Sequence, residues 1–280
     1  MTTAAPQIQA GDAAPFDLAA YFERLGVDPL PATPAGLALL QQAQMRAIVF
    51  ENIDPLLGRT PDLSPEAIWD KLVLARRGGY CFELNSLLGQ ALDAMGFSAR
   101  RVMARVRMGA PVGGPRSHLA FLVTLDGAEW LVDAGFGGPG PVGPVAIANG
   151  LEQGVGGATF RVVDNPDAAE LVLERRQAEG WWPVYALDRF PVQLADIEAA
   201  NFVSANWPRS LLSNNLMMNL PGADGRISLL DTALKIERGG VVEKSAVGSR
   251  EELAKVLAEG FRLDLPAETL EAIWSRIGQA

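Results

Sequence analysis

Apolar residues in the first part of the chain recur every three or four positions, which is the spacing of an amphipathic helix. The pattern predicts three helices, over residues 16–25, over residues 33–48 and from residue 64 onward. Thr33 and Ser64 are each followed by proline, a combination typical of the N-terminal cap and first position of a helix. These segments indicate a lobe built mainly from helices packed through their apolar faces.

A fourth helix is predicted after the pair Gly78-Gly79, where the backbone is free to turn sharply. From Cys81 to Met95 apolar residues again recur at helical spacing, which places Cys81 at or near the helix N-terminus. With this helix, the predicted N-terminal helical bundle covers about residues 1–95.

From Ala99 the apolar period shifts toward two, the alternation expected of a β-strand. Further strand-like runs, separated by turn signals, cover residues 119–125, 129–133, 158–163, 169–174 and 181–185. Together they predict a small antiparallel β-barrel or sheet over about residues 96–190.

The last part of the chain, residues 191–280, has mixed character and is predicted to be a C-terminal α/β lid. The expected elements are a helix over 194–205, strands beginning near residue 210, a strand pair over 226–237 and 240–247, and helices beginning at Ser249 and Pro266. The predicted fold class is therefore mixed α+β: helical bundle, antiparallel barrel and α/β lid.

Cys81 is the single cysteine of the chain, and its predicted position suits a reactive thiol. Free N–H groups and the positive end of the helix dipole favour a thiolate there, and Arg76 and Arg77 act in the same direction. A lone cysteine is otherwise most often a small buried apolar residue without chemistry. The turn-to-helix setting favours the reactive alternative.

His118 is the single histidine, so it is the only imidazole that could act as a base for the thiol. It opens an apolar strand that ends at Asp126-Gly127, a strong signal for a two-residue hairpin turn. With that turn, the antiparallel register places Ala120 opposite Asp133, and His118 becomes a diagonal neighbour of Asp133, about 7–8 Å away at the backbone. The hairpin therefore aims the imidazole and a carboxylate at one another, which is the orienting contact of a catalytic histidine.

Four segments carry these residues in a distinctive order and spacing: Ile48-Val49-Phe50-Glu51-Asn52, Arg77-Gly78-Gly79-Tyr80-Cys81-Phe82-Glu83, His118, and Asp133-Ala134-Gly135-Phe136-Gly137. Together they resemble the signature segments of the arylamine N-acetyltransferases, and the resemblance extends from about Tyr21 to the C-terminal region. It implies a three-domain fold with a cysteine-protease-like Cys-His-Asp core and a catalytic triad of Cys81, His118 and Asp133. Three residues depart from the family pattern: Gln44 replaces a frequent histidine, Val49 a proline and Ala134 a frequent valine.

The resemblance also implies ligand contacts. The glycine-rich segment after the aspartate, namely Gly135, Phe136, Gly137 and Gly138, would help to form the cleft for acetyl-coenzyme A, although a flexible loop without chemistry has the same composition. Phe50 would line the acceptor pocket, or it is ordinary core. Glu51 would form a partly buried ion pair with Arg77, with an architectural role.

The function implied is transfer of an acetyl group from acetyl-coenzyme A to arylamines, arylhydrazines or hydrazides, by a ping-pong route through an acetyl-cysteine at Cys81. Two alternatives stay open. Cys-His-Asp sets in the same chain order serve hydrolases and amide synthases that act on other acyl donors. The triad could also be vestigial in a binding protein, in which case Cys81 would react slowly with iodoacetamide.

Composition excludes several other classes. The chain has 24 Lys plus Arg against 33 Asp plus Glu, a net charge of −9, which disfavours binding to nucleic acid or to an anionic membrane surface. One cysteine excludes an internal disulfide, and with one histidine it argues against a structural metal site. Residues 1–16 form a predicted disordered lead-in without signal-peptide character, so a cytoplasmic location is expected. The sequence leaves open whether the chain forms a homo-oligomer.

Overall fold

In the computed structural model, residues 16–278 are described. The expectation of a disordered lead-in concerns residues that lie outside this range, apart from Phe16. The helices are α1 (Leu18–Leu25), α2 (Pro34–Ala47), α3 (Ile53–Leu56), α4 (Pro65–Trp69), α5 (Cys81–Ala94), α6 (Leu194–Asn206), α7 (Leu211–Asn214), α8 (Arg250–Lys255) and α9 (Ala267–Ile277). Helices α4 and α8 continue directly into π-helical turns over Asp70–Leu74 and Val256–Gly260, and Pro166–Ala168 forms a 3₁₀ turn.

The caps expected for the N-terminal helices are present. The Thr33 hydroxyl accepts a hydrogen bond from the amide of Gly36 at 3.2 Å, and the Ser64 hydroxyl accepts one from Ala67 at 3.3 Å. Gly26 ends α1 with a left-handed backbone, at φ 70°. These local signals account for the start of α2 and α4 and the end of α1.

The strands are β1 (Phe50–Glu51), β2 (Ser98–Val106), β3 (Arg116–Leu125), β4 (Ala128–Val132), β5 (Val145–Ala146), β6 (Gln153–Val155), β7 (Ala158–Asn165), β8 (Glu170–Gln177), β9 (Gly180–Leu187), β10 (Met217–Pro221), β11 (Gly225–Leu230), β12 (Ala233–Arg238) and β13 (Val241–Ala246). An eight-stranded antiparallel sheet has the order β5-β4-β3-β2-β9-β8-β7-β6, and a bridge between Asn149 and Val162 draws its two ends together into a nearly closed barrel. A five-stranded sheet has the order β1-β10-β11-β12-β13.

The hairpin of β3 and β4 has the predicted register. Leu125 pairs with Ala128 and Phe121 with Val132, and Asp126 and Gly127 form the turn with positive φ values of 52° and 78°. Asp133 follows the last residue of β4 directly. The local turn therefore determines which face of the hairpin His118 and Asp133 share.

Two predictions for the last part of the chain were wrong in detail. The run 226–237 was expected to be one strand, but it is a hairpin of β11 and β12 whose turn contains Asp231 at φ 51°. Residues 211–214 were expected to start a strand, but they form α7, because the Ser210 hydroxyl accepts a hydrogen bond from the amide of Leu212 and caps a helical turn. The strand begins later, at Met217.

The mixed α+β fold class is confirmed: helices come first, the barrel follows, and an α/β part ends the chain. The ranges 1–95, 96–190 and 191–280 remain a prediction. The N-terminal and C-terminal parts of the fold are joined by a strand pairing: β1 pairs with β10 through Phe50 and Asn219. Val49 and Ile53, on either side of β1, belong to the buried cluster of the C-terminal helices.

The catalytic-helix candidate α5 packs directly on β3. A Cβ atom at Gly89 would lie 2.5 Å from the ring of Phe121, so only a glycine allows this close approach of helix and strand. Leu87 and Leu88 of α5 are fully buried in the same cluster as Phe121. This packing brings the N-terminus of α5 beside the start of β3, where His118 lies.

Candidate active site

Cys81 is the first residue of α5, as predicted, and its side chain is only 5% exposed. The amide of Tyr80, the residue before the helix, donates to the Glu83 carboxylate at 3.1 Å. The sulfur of Cys81 donates toward the carbonyl oxygen of Ser117 at 3.7 Å, and the Cys81 side chain is near enough to His118 to contribute to the raised pKa of that imidazole. The thiol is therefore held between the start of a helix and the neighbouring strand and is largely shielded from solvent.

His118 is 2% exposed and lies between Cys81 and Asp133. Its Nε2 atom is 2.7 Å from Oδ2 of Asp133. Because the carboxylate accepts the Nε2 proton, Nδ1 is the ring nitrogen that remains for the thiol. The structure thus brings Cys81, His118 and Asp133 together in one buried site.

Asp133 is 1% exposed, and each of its carboxylate oxygens accepts two hydrogen bonds. Oδ2 accepts from His118 and from the hydroxyl of Tyr185 at 3.0 Å. Oδ1 accepts from the side-chain amide of Asn85 and from the backbone amide of Gly135, both at 2.9 Å. Four donors satisfy a buried carboxylate, which keeps it ionised and fixes its orientation.

Sequence reasoning missed three residues of this environment. Asn85 lies four positions after Cys81, so its place on the same helix face could have been found from helical spacing. Tyr185 comes from β9, which reaches the site only through the long-range pairing of β2 with β9, and no local signal marks it. Gln41 of α2 donates to the backbone oxygen of Asp133 at 2.8 Å and also had no signal.

The electrostatics of the pair favour a charged imidazole. Burial disfavours the imidazolium, but the charge and hydrogen bond of Asp133, with a smaller contribution from Cys81, raise the pKa of His118 above its usual value of 6.5. Burial also disfavours an ionised Asp133, yet His118, Asn85 and the amide of Gly135 hold the pKa of that carboxyl below its usual 3.8. The imidazole is therefore a stronger base toward the thiol than a free histidine is.

A titration of the single histidine tests this arrangement. In a Cys81→Ala variant we expect the NMR-detected pKa of His118 to lie above 6.5, because Asp133 alone still supports the imidazolium. With Asp133→Asn added, burial is no longer opposed by a negative charge, and the pKa should fall to 6.5 or lower. Equal values in the two variants would show that Asp133 does not set the charge state of the imidazole.

The segment after Asp133 packs against the site. A Cβ atom at Gly135 would lie 3.0 Å from the Cα of Cys81 and 2.6 Å from the Asn85 side chain, so this position requires glycine. The ring of Phe136 packs edge-on against the imidazole of His118, with centroids 5.2 Å apart. Gly135 and Phe136 are buried, whereas Gly137 and Gly138 are partly exposed, which makes the latter two the accessible part of the loop.

Phe50 is 8% exposed and its ring lies against Gly137. The residue expected to line the acceptor pocket therefore touches the loop expected to approach the cofactor. It also belongs to the buried cluster of the helical lobe, so packing and ligand contact are both compatible with its position.

The predicted ion pair of Glu51 and Arg77 is confirmed. Oε1 of Glu51 accepts from Arg77 Nη2 at 2.6 Å and from its Nε at 3.2 Å, and Oε2 accepts from the amide of Ile53 at 2.8 Å. Sequence reasoning did not find the adjoining Lys71, whose Nζ lies 2.6 Å from both Asp54 and Glu83. This network surrounds the turn that leads into Cys81.

Breaking the Glu51–Arg77 pair should destabilise the protein. Glu51 is 1% exposed and Arg77 is partly exposed, so we expect Glu51→Gln to lower the free energy of unfolding by about 2–4 kcal/mol. As a matched control, Glu129→Gln removes the carboxylate of the solvent-exposed pairs with Arg100 and Arg189 and should cost at most about 1 kcal/mol. Urea denaturation of both variants measures the difference. Unchanged stability and unchanged thiol reactivity in Glu51→Gln would show that the pair is unnecessary.

Comparison with known proteins agrees with this site. A family model described as N-acetyltransferase matches residues 35–270. An arylamine N-acetyltransferase / N-hydroxyarylamine O-acetyltransferase of Salmonella typhimurium is 35% identical over 251 residues, which is 88% of both chains. The chain belongs to the arylamine N-acetyltransferase family.

Other members are similarly close. The arylamine N-acetyltransferase of Mycobacterium tuberculosis is 35% identical over 260 residues, covering 89% of this chain and 90% of the relative. The solved structure of the Salmonella typhimurium enzyme has a TM-score of 0.86 at 33% identity and covers 91% of this chain and 97% of its own. That of the Mycobacterium marinum arylamine N-acetyltransferase in complex with CoA has a TM-score of 0.87 at 31% identity, with 94% and 99% covered.

Gln44 and Ala134, two residues that depart from the family pattern, each make a hydrogen bond to α5. Gln44 is fully buried, accepts a hydrogen bond from the Tyr21 hydroxyl and donates to the carbonyl oxygen of Leu84 at 2.7 Å, so it links α2 to α5. The amide of Ala134 donates to Oδ1 of Asn85 at 3.0 Å through its backbone alone.

None of the helices within residues 16–278 combines the length and apolar character that crossing a bilayer requires. In the same residues, no group of three or more His, Cys, Asp or Glu side chains is arranged to hold a metal ion.

Proposed function

We propose that this family member transfers an acetyl group from acetyl-coenzyme A to aromatic amines, hydrazines or hydrazides, with Cys81 as nucleophile, His118 as base and acid, and Asp133 as the residue that orients His118. The observation that carries the proposal is the grouping of thiol, imidazole and carboxylate in one buried site, with Nε2 of His118 2.7 Å from Oδ2 of Asp133. The relatives named for arylamine acetylation, and the one solved with CoA, support the choice of substrates.

In the first half-reaction, His118 takes the proton of the Cys81 thiol, and the sulfur attacks the carbonyl carbon of the acetyl thioester. Backbone amides of the first turn of α5 are the proposed donors to the oxyanion that forms. When the tetrahedral species collapses, the thioester C–S bond breaks, and His118 returns its proton to the departing thiolate. Cys81 is then acetylated.

In the second half-reaction, the acceptor nitrogen attacks the carbonyl carbon of acetyl-Cys81. His118 removes the nitrogen proton during this attack and delivers it to the Cys81 sulfur as the acetyl group leaves. Asp133 keeps the imidazole in one tautomer throughout and stabilises its charged form. Because a thioester is exchanged for a thioester in the first step, the protein mainly has to activate the thiol and exclude water.

We assign the phosphates of coenzyme A to a cavity of about 390 Å³ beside the glycine loop, on the basis of two lysines in an otherwise largely apolar lining. Gly137 lines it, together with Lys235 of β12 and Lys244 of β13. The two lysines are direct cross-strand partners, so both side chains lie on the same face of the sheet. Lys235 also pairs with Glu237. Through Phe136, which contacts His118, the loop connects this cavity to the triad.

Removing these lysines should weaken donor binding without changing the chemistry. We expect Lys235→Ala/Lys244→Ala to raise KM for acetyl-coenzyme A by about tenfold or more, with kcat changed by less than about threefold, because each lost charge contact contributes on the order of 1 kcal/mol. Lys255→Ala, on the exposed side of α8, is the matched control and should leave KM unchanged. Equal KM values for the double variant and the wild type would place the phosphates elsewhere.

A substrate panel tests the proposed function. Arylamines and hydrazines are assayed with acetyl-, propionyl- and malonyl-coenzyme A, and initial rates are measured while both substrates are varied. The proposal expects aromatic amines or hydrazines to be acetylated with parallel double-reciprocal lines, the kinetic sign of a ping-pong route. Cleavage of peptides or amides, with no transfer from any coenzyme A thioester, would favour the hydrolase or amide-synthase alternative.

A further inference from the structure

A second cavity, of about 290 Å³, lies where the ends of several helices meet. It is lined by the last turn of α1, by Ala47 at the end of α2, by Arg76 in the segment before α5, and by Phe261 and Arg262 between α8 and α9. None of these residues belongs to the proposed triad or to the cavity beside Gly137. The cavity therefore lies outside both of the sites proposed above.

Three arginines line this cavity, the arginine cavity: Arg24, Arg76 and Arg262. Among the described residues of its lining, Glu23 is the one acidic residue. Within residues 16–278, none of the three arginines takes part in an ion pair, although many of the other arginines do. The chain as a whole has a net charge of −9. The positive charge here is thus a local feature that opposes the overall charge of the protein.

Arg24 is the buried member of the group, with 7% exposure. Its Nε donates to the carbonyl oxygen of Leu72 at 2.8 Å and its Nη1 to that of Ala47 at 2.9 Å. Burial and the neighbouring positive charge of Arg76 lower the pKa of Arg24 to about 10. A buried cation held only by carbonyl groups, with a second cation beside it, is stabilised by any anion that enters the cavity.

Arginines at helix ends often serve only to satisfy the last carbonyl groups. Arg24 does so with two of its five N–H donors, but the other two arginines hardly do. Arg262 makes one long contact, 3.5 Å from the carbonyl oxygen of Arg46, and Arg76 donates no side-chain hydrogen bond within the described part of the chain. Most of the guanidinium donors around the cavity therefore have no protein partner within residues 16–278, and those of Arg76 and Arg262 are open to solvent or to a ligand.

The backbone supports the same conclusion. Six non-glycine residues among those described have positive φ, and Arg76 (52°) and Arg262 (56°) are two of them. Each follows the cap of a π-helical turn, a position where glycine is the usual residue. An arginine held in the left-handed region, twice at one cavity, indicates that the guanidinium is of use there.

We propose that the arginine cavity binds a phosphate-class dianion, either free phosphate or the phosphate group of a small phosphomonoester. Guanidinium forks match phosphate oxygens in pairs, and three cations against one carboxylate leave the charge that a dianion balances. The volume lies at the lower end of the range for small-molecule sites, which suits a phosphomonoester and is small for a drug-sized ligand. A bound dianion bridges the segment before α5 to the segment before α9 and stabilises the fold by linkage.

The proposal is tested on the full chain by calorimetric titration with inorganic phosphate and, in a second arm, with glycerol 3-phosphate, at constant ionic strength. We expect saturable binding of one dianion per chain and a concentration-dependent rise in Tm. The variant Arg76→Gly/Arg262→Gly should weaken binding at least tenfold, and it should fold, because glycine relieves the positive φ at both positions. Tighter binding of the ester than of phosphate identifies a phosphomonoester as the ligand, and equal binding identifies free phosphate.

Two controls make the outcome decisive. Ala169→Gly changes another residue of positive φ without changing charge, and it should bind phosphate as the wild type does. Lys235→Ala/Lys244→Ala should also retain phosphate binding. The proposal is overturned if the wild type shows no saturable binding, if the arginine variant binds as tightly as the wild type, or if binding is lost only in the lysine variant.

Discussion

Cys81→Ser should reduce acetyl transfer to aromatic amines by at least about 10⁴-fold, because a serine hydroxyl in place of the thiol is a far weaker nucleophile toward a thioester. The substitution is nearly isosteric, and within residues 16–278 the Cys81 sulfur makes a single hydrogen bond, a long one to the carbonyl oxygen of Ser117. The fold should therefore survive. Steady-state rates with acetyl-coenzyme A and an arylamine measure the effect.

The controls for this variant are its affinity for coenzyme A and its unfolding temperature, neither of which requires turnover. Cys81→Ser should bind coenzyme A with wild-type affinity and should unfold at nearly the wild-type temperature. Substantial acetylation of an aromatic amine by a folded Cys81→Ser protein would remove the covalent route and leave direct transfer between the two substrates.

Asp133→Asn should reduce kcat/KM by about 10³–10⁴-fold, because the imidazole loses the acceptor that fixes its tautomer and stabilises its charge. In the wild type the carboxylate accepts four hydrogen bonds, from His118, Tyr185, Asn85 and Gly135. An asparagine side chain has only one acceptor oxygen. Its NH₂ group would face groups that are themselves hydrogen-bond donors, so some of the four hydrogen bonds would be lost. The thiol should also react more slowly with iodoacetamide near neutral pH, since its base is weakened.

Tyr185→Phe measures how much the Tyr185 hydroxyl contributes by supporting the Asp133 carboxylate, separately from the orientation of His118 by Asp133. It removes one donor to Oδ2 and keeps the contact between His118 and Asp133. We expect a loss of no more than about tenfold in kcat/KM, since one of four hydrogen bonds is removed. If Asp133→Asn, folded by circular dichroism, retained activity within tenfold of the wild type, the carboxylate would have no catalytic role.

The parts of the site that sequence alone predicted are those determined over short stretches of chain. The Asp126-Gly127 turn sets the register of one hairpin, and that register places His118 beside Asp133 at 2.7 Å. The start of α5 at Cys81 follows from the two preceding glycines and the helical spacing after them. Neither required knowledge of the rest of the fold.

The parts that were missed depend on contacts between distant segments. Tyr185 reaches Asp133 across 52 positions of sequence, by way of strand pairing that no local pattern encodes. Lys71 and Glu83 complete the ion-pair network, but isolated charges in a sequence usually indicate solvated side chains. The turn at Asp231 was missed because the run it interrupts contains neither glycine nor proline.

The same limit applies to the cavities. The cross-strand pairing of Lys235 with Lys244 follows from one hairpin, yet their position beside Gly137 depends on how the C-terminal sheet packs against the barrel. The arginine cavity collects residues from α1, from the segment before α5 and from the segment before α9, which lie up to 238 positions apart in the chain, from Arg24 to Arg262. Composition indicates only that the protein is acidic overall.

The central claim is that His118 and Asp133 make Cys81 an acyl acceptor, and intact-protein mass spectrometry tests it most directly. The protein is mixed with acetyl-coenzyme A in the absence of any amine, quenched in acid within seconds, and digested to locate the modification. The account predicts one acetyl group per chain, on Cys81, that is lost when an arylamine is added. An unmodified Cys81 while amine acetylation proceeds, or an acetyl group carried on another residue, would contradict it.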